Sequence, residues 1–167
     1  MYVIRERFFA LGDDFDITDD AGYTLFHVDG KAFSLRNRLV VEDPLGREVA
    51  AVHRHLVSLR PTYEITVGGE KAGEVRRNLF TPFRERFTID VPGPDDLEIT
   101  GDLFDHEFVI ERNGRQVASV SKRWLGIRDA YGVRVAQGED PLVILASVLA
   151  LDLALAKARE DEEDDER

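Results

Sequence analysis

Eight arginines stand close together in pairs along this chain: Arg36 with Arg38, Arg54 with Arg60, Arg76 with Arg77, and Arg84 with Arg86. Residues two apart on a β-strand share one face, so Arg36/Arg38 and Arg84/Arg86 each predict a double cation. A guanidinium forks onto two oxygens of a phosphate at once. The eight therefore make a candidate anion-binding face, suited to a phosphoinositide headgroup or another phosphate. Pairing with neighbouring acids is the more ordinary use of outward arginines. The chain has 33 Asp and Glu against 22 Lys and Arg, a formal charge of -11, so acids are plentiful.

Other residues invite chemistry less strongly. His53 and His55 are also two apart, so both imidazoles could ligate one metal if His27 or His106 supplied a third ligand. Nothing in the spacing brings those together, and solvent-facing strand histidines are the expectation. Ser119-Val120-Ser121-Lys122 fits the serine–lysine nucleophile pattern. That pattern needs a helical turn, and this segment reads as a strand, where Ser119 and Lys122 point to opposite faces. Asp13, Asp14, Asp16, Asp19 and Asp20 could hold a cation, but turn formation is the commoner role of such residues. No nucleotide-binding glycine loop or nucleophile elbow is present, and with no cysteine there is no thiolate chemistry. The reading is of a protein with no catalytic residues, no metal and no cofactor.

The acidity is uneven. Glu160 to Glu166 are seven consecutive acids between Arg159 and Arg167, a stretch of net -5 that leaves -6 for the rest of the chain. Such a block repels itself and is expected to be a disordered, solvated tail over residues 159–167. The basic side chains comprise 18 Arg and only 4 Lys, a faint suggestion of a high-salt or GC-rich source. A net acidic domain argues against nucleic acid as partner. The candidate partners are an anionic phospholipid headgroup or a protein. No segment reads as a targeting sequence. The most apolar run, Leu142 to Leu151, is short of the ~20 residues that span a bilayer. A cytoplasmic monomer is expected, acting in solution or at the membrane periphery.

The elements that must carry these residues are mostly strands. Alternation appears in Phe33-x-Leu35, Leu39-x-Val41, Tyr63-x-Ile65-x-Val67 and Phe87-x-Ile89-x-Val91. Asp19 to Gly22, Asp43 to Gly46, Gly68-Gly69 and Asn113-Gly114 supply turns, the last predicting a two-residue type I′ hairpin loop. About a dozen short strands follow, at the spacing of a sandwich or barrel. Hairpin-like stretches begin at Phe15, Leu39, Tyr63 and Phe108, the first three 24 residues apart, and they favour a meander.

The chain then changes character. Asp140 suits an N-cap and Pro141 the first helical position. From Leu142 to Ala156 only Ser147 and Asp152 are polar. A helix apolar all round is buried all round. In an otherwise all-β domain, its place is inside the sheet, closed around it as a barrel. The helix is predicted over residues 141–158, within a domain of residues 1–158. Asp152, buried near its end, needs water or loop N–H groups at the barrel mouth, or an arginine such as Arg123 or Arg128. Trp124 and Tyr131 read as core or rim packing.

The chain resembles the LURP-one-related family, whose fold is shared with the tubby C-terminal domain and proposed for phospholipid scramblases. The resemblance is carried by ITDDAGYTLFHVDGK, LVVEDPLGREVA and VPGPDDLEITG. It continues in EFVIERNGRQVASVSKRWLGIRDAYGVRV and the apolar helix ending LALD, so that it spans about residues 3–155. It implies a twelve-stranded antiparallel barrel around a hydrophobic C-terminal helix. For function it implies a non-enzymatic binding or regulatory module, since tubby domains bind phosphoinositides through basic surface residues. The alternative is a lipid-handling, scramblase-like or hydrolytic enzyme. No tubby lipid-site motif maps onto this chain, and the Asp13 to Gly22 stretch does not fit a calcium loop.

Overall fold

The turn signals of the sequence punctuate a continuous meander. In this computed structural model the described residues are 1–5, 14–55, 61–78, 86–93, 95–125 and 129–167. The strands are β1 (Tyr2–Arg5), β2 (Phe15–Asp19) and β3 (Thr24–Asp29), then a short helix α1 (Gly30–Arg36) and β4 (Arg38–Glu42). Next come β5 (Glu48–His55), β6 (Thr62–Val67), β7 (Glu70–Asn78), β8 (Arg86–Asp90) and β9 (Leu97–Asp102). The chain closes with β10 (Glu107–Arg112), β11 (Arg115–Ser121), β12 (Ala130–Val135) and α2 (Pro141–Asp165). Each strand pairs with its chain neighbour, and β1 pairs antiparallel with β12, giving a closed barrel of twelve strands. Among the described strands, closure leaves no free sheet edge.

The turns are built as their residues demand. Asn113 and Gly114 both have positive φ, 51° and 71°, the type I′ requirement. Asp19 and Asp43, 24 residues apart, form the same loop: each carboxylate accepts backbone N–H bonds two and four residues on, from Ala21 and Tyr23 and from Leu45 and Arg47. Gly101 sits in β9 at φ +131°, and a Cβ there would lie 2.5 Å from the Glu107 carbonyl oxygen. Only glycine permits so close an approach of β9 to β10.

Strand alternation sends one set of side chains inward. Ile17, Val28, Leu39, Val52, Ile65, Val75, Ile89, Ile110 and Val133 are all almost wholly buried. They meet α2. Its N-terminus is fixed by the Asp140 carboxylate, which accepts the Leu142 N–H at 2.9 Å, with Pro141 following. Every residue from Ile144 to Leu155 is buried, more than three turns with no exposed face. The helix backbone runs nearest β5, β6, β7 and β12. By length and composition α2 could cross a membrane, but 72% of its apolar window is buried in this protein's own barrel.

Three expectations are corrected. Phe33-x-Leu35 is not strand but α1, because the segment Gly30–Arg36 closes a helical turn that Asn37 ends at φ 55°. Arg36 and Arg38 therefore do not share a strand face; the first ends α1 and the second begins β4. The helix does not stop at Ala158. It continues to Asp165, so the acids expected in a disordered tail are exposed on a helical extension.

The candidate functional site at one mouth of the barrel

In a meander, alternate connections gather at opposite ends. The β2–β3, β4–β5, β6–β7 and β10–β11 turns lie at one end, with the start of α2. The β3–β4, β5–β6, β7–β8, β9–β10 and β11–β12 connections lie at the other, where α2 leaves. This second end receives Arg36 and Arg38, at the end of α1 and the start of β4. It also receives Arg54 near the end of β5, Arg76 and Arg77 towards the end of β7, and Arg86 at the start of β8. Arg77 stands opposite Phe87 in register and Arg86 opposite Asn78. Arg60 and Arg84 lie outside the described residues.

The meander gathers these arginines, but it does not leave all of them free. Arg38 forms an ion pair with Glu48. Arg76 pairs with Glu74 and lies 3.6 Å from Asp90. Lys71 bridges Glu74 at 3.0 Å and Glu64 at 3.7 Å, completing an outer charge ladder. On the barrel wall, then, the cations interleave with acids.

Arg54 is different. Its strand position alternates with Ala50 and Val52, so it follows the inward set and stands at the mouth, half-buried. It faces Tyr63 in register across β6. Its guanidinium donates to the Asn37 Oδ1 at 2.6 Å and lies 5.4 Å from the centre of the Phe33 ring. Asn37, turned out of α1 by its positive φ, also accepts the Arg54 backbone N–H at 2.9 Å. These partners are neutral, and the Arg54 Nε is buried with no hydrogen-bond partner. Among the described residues no carboxylate reaches it within ion-pair distance. A partly desolvated cation without a counter-charge is unfavourable and attracts an anion. Arg36, one residue before Asn37 in the chain, is exposed and, among the described residues, likewise has no acid partner. The Tyr63 hydroxyl lies at the same mouth, donating to the Leu153 carbonyl at 3.4 Å. Burial pushes its pKa up, against the pull of the nearby Arg54 and Lys157 cations.

The opposite end has the reverse character. A cleft of about 440 Å³ opens there, lined by Met1, Tyr2, Asp19, Asp20 and Glu139 among others. An anion would meet carboxylates on entering it.

The histidines do not assemble. His27 Nδ1 lies 2.9 Å from Asp16, and His55 lies 3.5 Å from Glu64. The His53 and His55 rings are neighbours at 5.0 Å, but no described group of three potential ligands gathers around them. The aspartates serve in turns and pairs: Asp14 meets Lys31 and Asp16 accepts from Thr24, while Asp13 lies outside the described residues. Ser119 is on strand β11, as its sequence requires.

Asp152 is paired, but not with an arginine. Its Oδ1 lies 2.8 Å from His106 Nε2, and Tyr131 donates its hydroxyl to Oδ2. The His106 and Tyr131 rings stack at 4.3 Å. All three are buried. Arg123, expected as a partner, lies 3.7 Å from Glu107 instead, and Arg128 lies outside the described residues. Sequence reasoning missed His106 because it is 46 residues from Asp152 and sits in the turn after β9 at φ 50°. Trp124 is half-buried at the rim, with Arg134 4.0 Å from its ring centre.

The outer ladder makes a pH prediction. Burial raises the pKa of Glu74, but hydrogen bonds from Arg76 and Lys71 outweigh it and hold the carboxyl below its ordinary 4.5. The unfolded chain then binds that proton more readily, so folding loses this contribution as pH falls below about 4.5. In urea melts across acid pH, Glu74→Gln should be less stable than the parent at neutral pH and show a shallower acid slope.

The class is set by the fold: a closed antiparallel barrel whose interior is filled by its own C-terminal helix. The chain belongs to the LURP-one-related family, whose family model matches residues 1–152. It is 34% identical over 152 residues to the uncharacterized protein YxjI of Bacillus subtilis (strain 168), covering 91% of each chain. Its fold matches the X-ray structure of a protein from Arabidopsis thaliana with a TM-score of 0.64, at 20% identity, over 91% of this chain and 88% of that one.

Proposed function

We propose that this protein is a non-enzymatic binding module that recognises a phosphate-bearing anion, of phosphoinositide type or similar, at the arginine-bearing mouth of its barrel. The observation that carries this reading is Arg54, a half-buried cation whose partners are all neutral. Arg36, next to Asn37 in the chain, adds a second positive charge at this end of the barrel. Arg38 and Arg76 contribute less, since they already pair with acids. Membership in the LURP-one-related family and the barrel fold support a module of this kind. The alternative, a lipid-handling or hydrolytic enzyme, needs interior space for a substrate, and α2 fills the barrel.

Co-sedimentation with phosphatidylcholine vesicles, with and without a phosphoinositide, tests the reading at low salt. The intact protein should pellet only with the phosphoinositide vesicles. Arg54→Ala should weaken that binding by about tenfold or more, the scale of one charge-assisted hydrogen bond. Circular dichroism would verify that the variant is folded. An intact protein that stays in the supernatant at low salt would remove this reading.

A further inference from the structure

The continuation of α2 past the barrel has no role in the core. It emerges at the mouth that holds Arg54. Tyr63, opposite Arg54 in register, donates to the Leu153 carbonyl, and Lys157 lies one helical turn further on. Lys157 then pairs with Asp161 at 2.8 Å and Glu160 at 3.5 Å. On the same exit, Arg159 lies 5.1 Å from the Phe104 ring centre in the turn after β9. These contacts fix where the acidic stretch begins. Arg54 and Asp161 both act on the Tyr63 hydroxyl, with opposite sign.

The extension is also electrostatically uneasy as a helix. Its last turn holds acids and no base, at the end where the helix dipole is already negative. Like charges four apart repel along the same face. The tail acids pair with Lys157, and the mouth from which they emerge holds Arg54, a cation with no acid partner among the described residues. A tethered segment competes at an effective concentration of millimolar order.

We propose that the acidic extension, residues 160–165, is a built-in competitor for the anion site at Arg54. Its carboxylates, which in the structure pair with Lys157 and not with Arg54, compete by folding back over the mouth, and an external anion must displace them. This rests on the reading of the mouth as an anion site. It adds that the chain regulates its own occupancy, and that ionic strength weakens both the competitor and the ligand.

The test uses the full-length chain with Glu160→Gln, Asp161→Asn, Glu162→Gln, Glu163→Gln, Asp164→Asn and Asp165→Asn, each tail measured with Arg54 present and with Arg54→Ala. The probe is the phosphoinositide vesicle described above. With Arg54 present, the neutral tail should bind about five- to tenfold more tightly at low salt. The difference should fade near 1 M salt, where the screening length is about 3 Å. With Arg54→Ala, neutralising the tail should give no such gain. Equal affinity of acidic and neutral tails overturns the competitor and leaves the anion site standing. A gain that persists without Arg54 also overturns it, because general repulsion from the vesicle then accounts for the effect. Absence of binding by every variant overturns the anion site itself.

Discussion

Leu145→Asp is expected to leave the chain without a native fold. Leu145 is 1% exposed, in the first turn of the buried span of α2, enclosed by the closed barrel. The substitution forfeits about 1.5–3 kcal/mol of leucine burial. It also places a carboxylate in a core whose described buried residues include no Lys or Arg, at a cost that protonation only partly relieves. Domains of this size are stable by about 5–15 kcal/mol in total. The variant should show no cooperative urea transition and little near-ultraviolet dichroism. Leu145→Met, which conserves volume, should lose less than about 1.5 kcal/mol and serves as the control. A cooperative, native-like Leu145→Asp protein would mean that α2 does not form the centre of the barrel.

Asp152→Ala is the second large effect, and its mechanism is different. The carboxylate ties three distant parts of the chain: α2 itself, His106 in the turn after β9, and Tyr131 on β12. Removing the carboxylate takes one hydrogen-bond partner from each of the buried His106 and Tyr131 side chains, at about 1–3 kcal/mol per group. Urea melts should show a midpoint lowered accordingly with an unchanged slope. Tyr131→Phe should cost less, about 1–3 kcal/mol, since it leaves one carboxylate oxygen without a buried donor. Combined, the two changes should cost less than their sum, because they remove the same hydrogen bond. Additive losses would separate Tyr131 from Asp152 energetically. A loss below about 1 kcal/mol for Asp152→Ala would deny the carboxylate a structural role.

Both expectations concern features of unequal visibility in the sequence. That α2 is central could be read from residues 142–156, where no polar stripe exists to face water. That Asp152 needs a partner could be read too, since a lone buried carboxylate is unfavourable. Which partner it has could not. His106 is brought to it only by the β9–β10 turn and the register of β10 on β9.

The arginines divide in the same way. Their number and pairing were plain, but their counter-charges depended on strand neighbours. Glu48 reaches Arg38 across the β4–β5 pair, and Asp90 reaches Arg76 across the β7–β8 pair. Arg54 escapes because its strand parity turns it toward the mouth, where Asn37 and Phe33 of the α1 region wait. The sequence pointed the wrong way at that region. Ala32, Phe33 and Leu35 fit a short strand or a short helix equally in so small a window, and contacts beyond the window decided for α1.

By itself, then, the sequence determined the meander, the positive-φ turns, the capped start of α2 and its burial. Each of these follows from period, turn chemistry or hydrophobicity within a few residues, where the physics is local. The tertiary structure decided the arginine left without an acid, the partners of Asp152 and the end from which the acidic extension emerges. Those depend on strand register and barrel parity, which set distances between groups tens of residues apart.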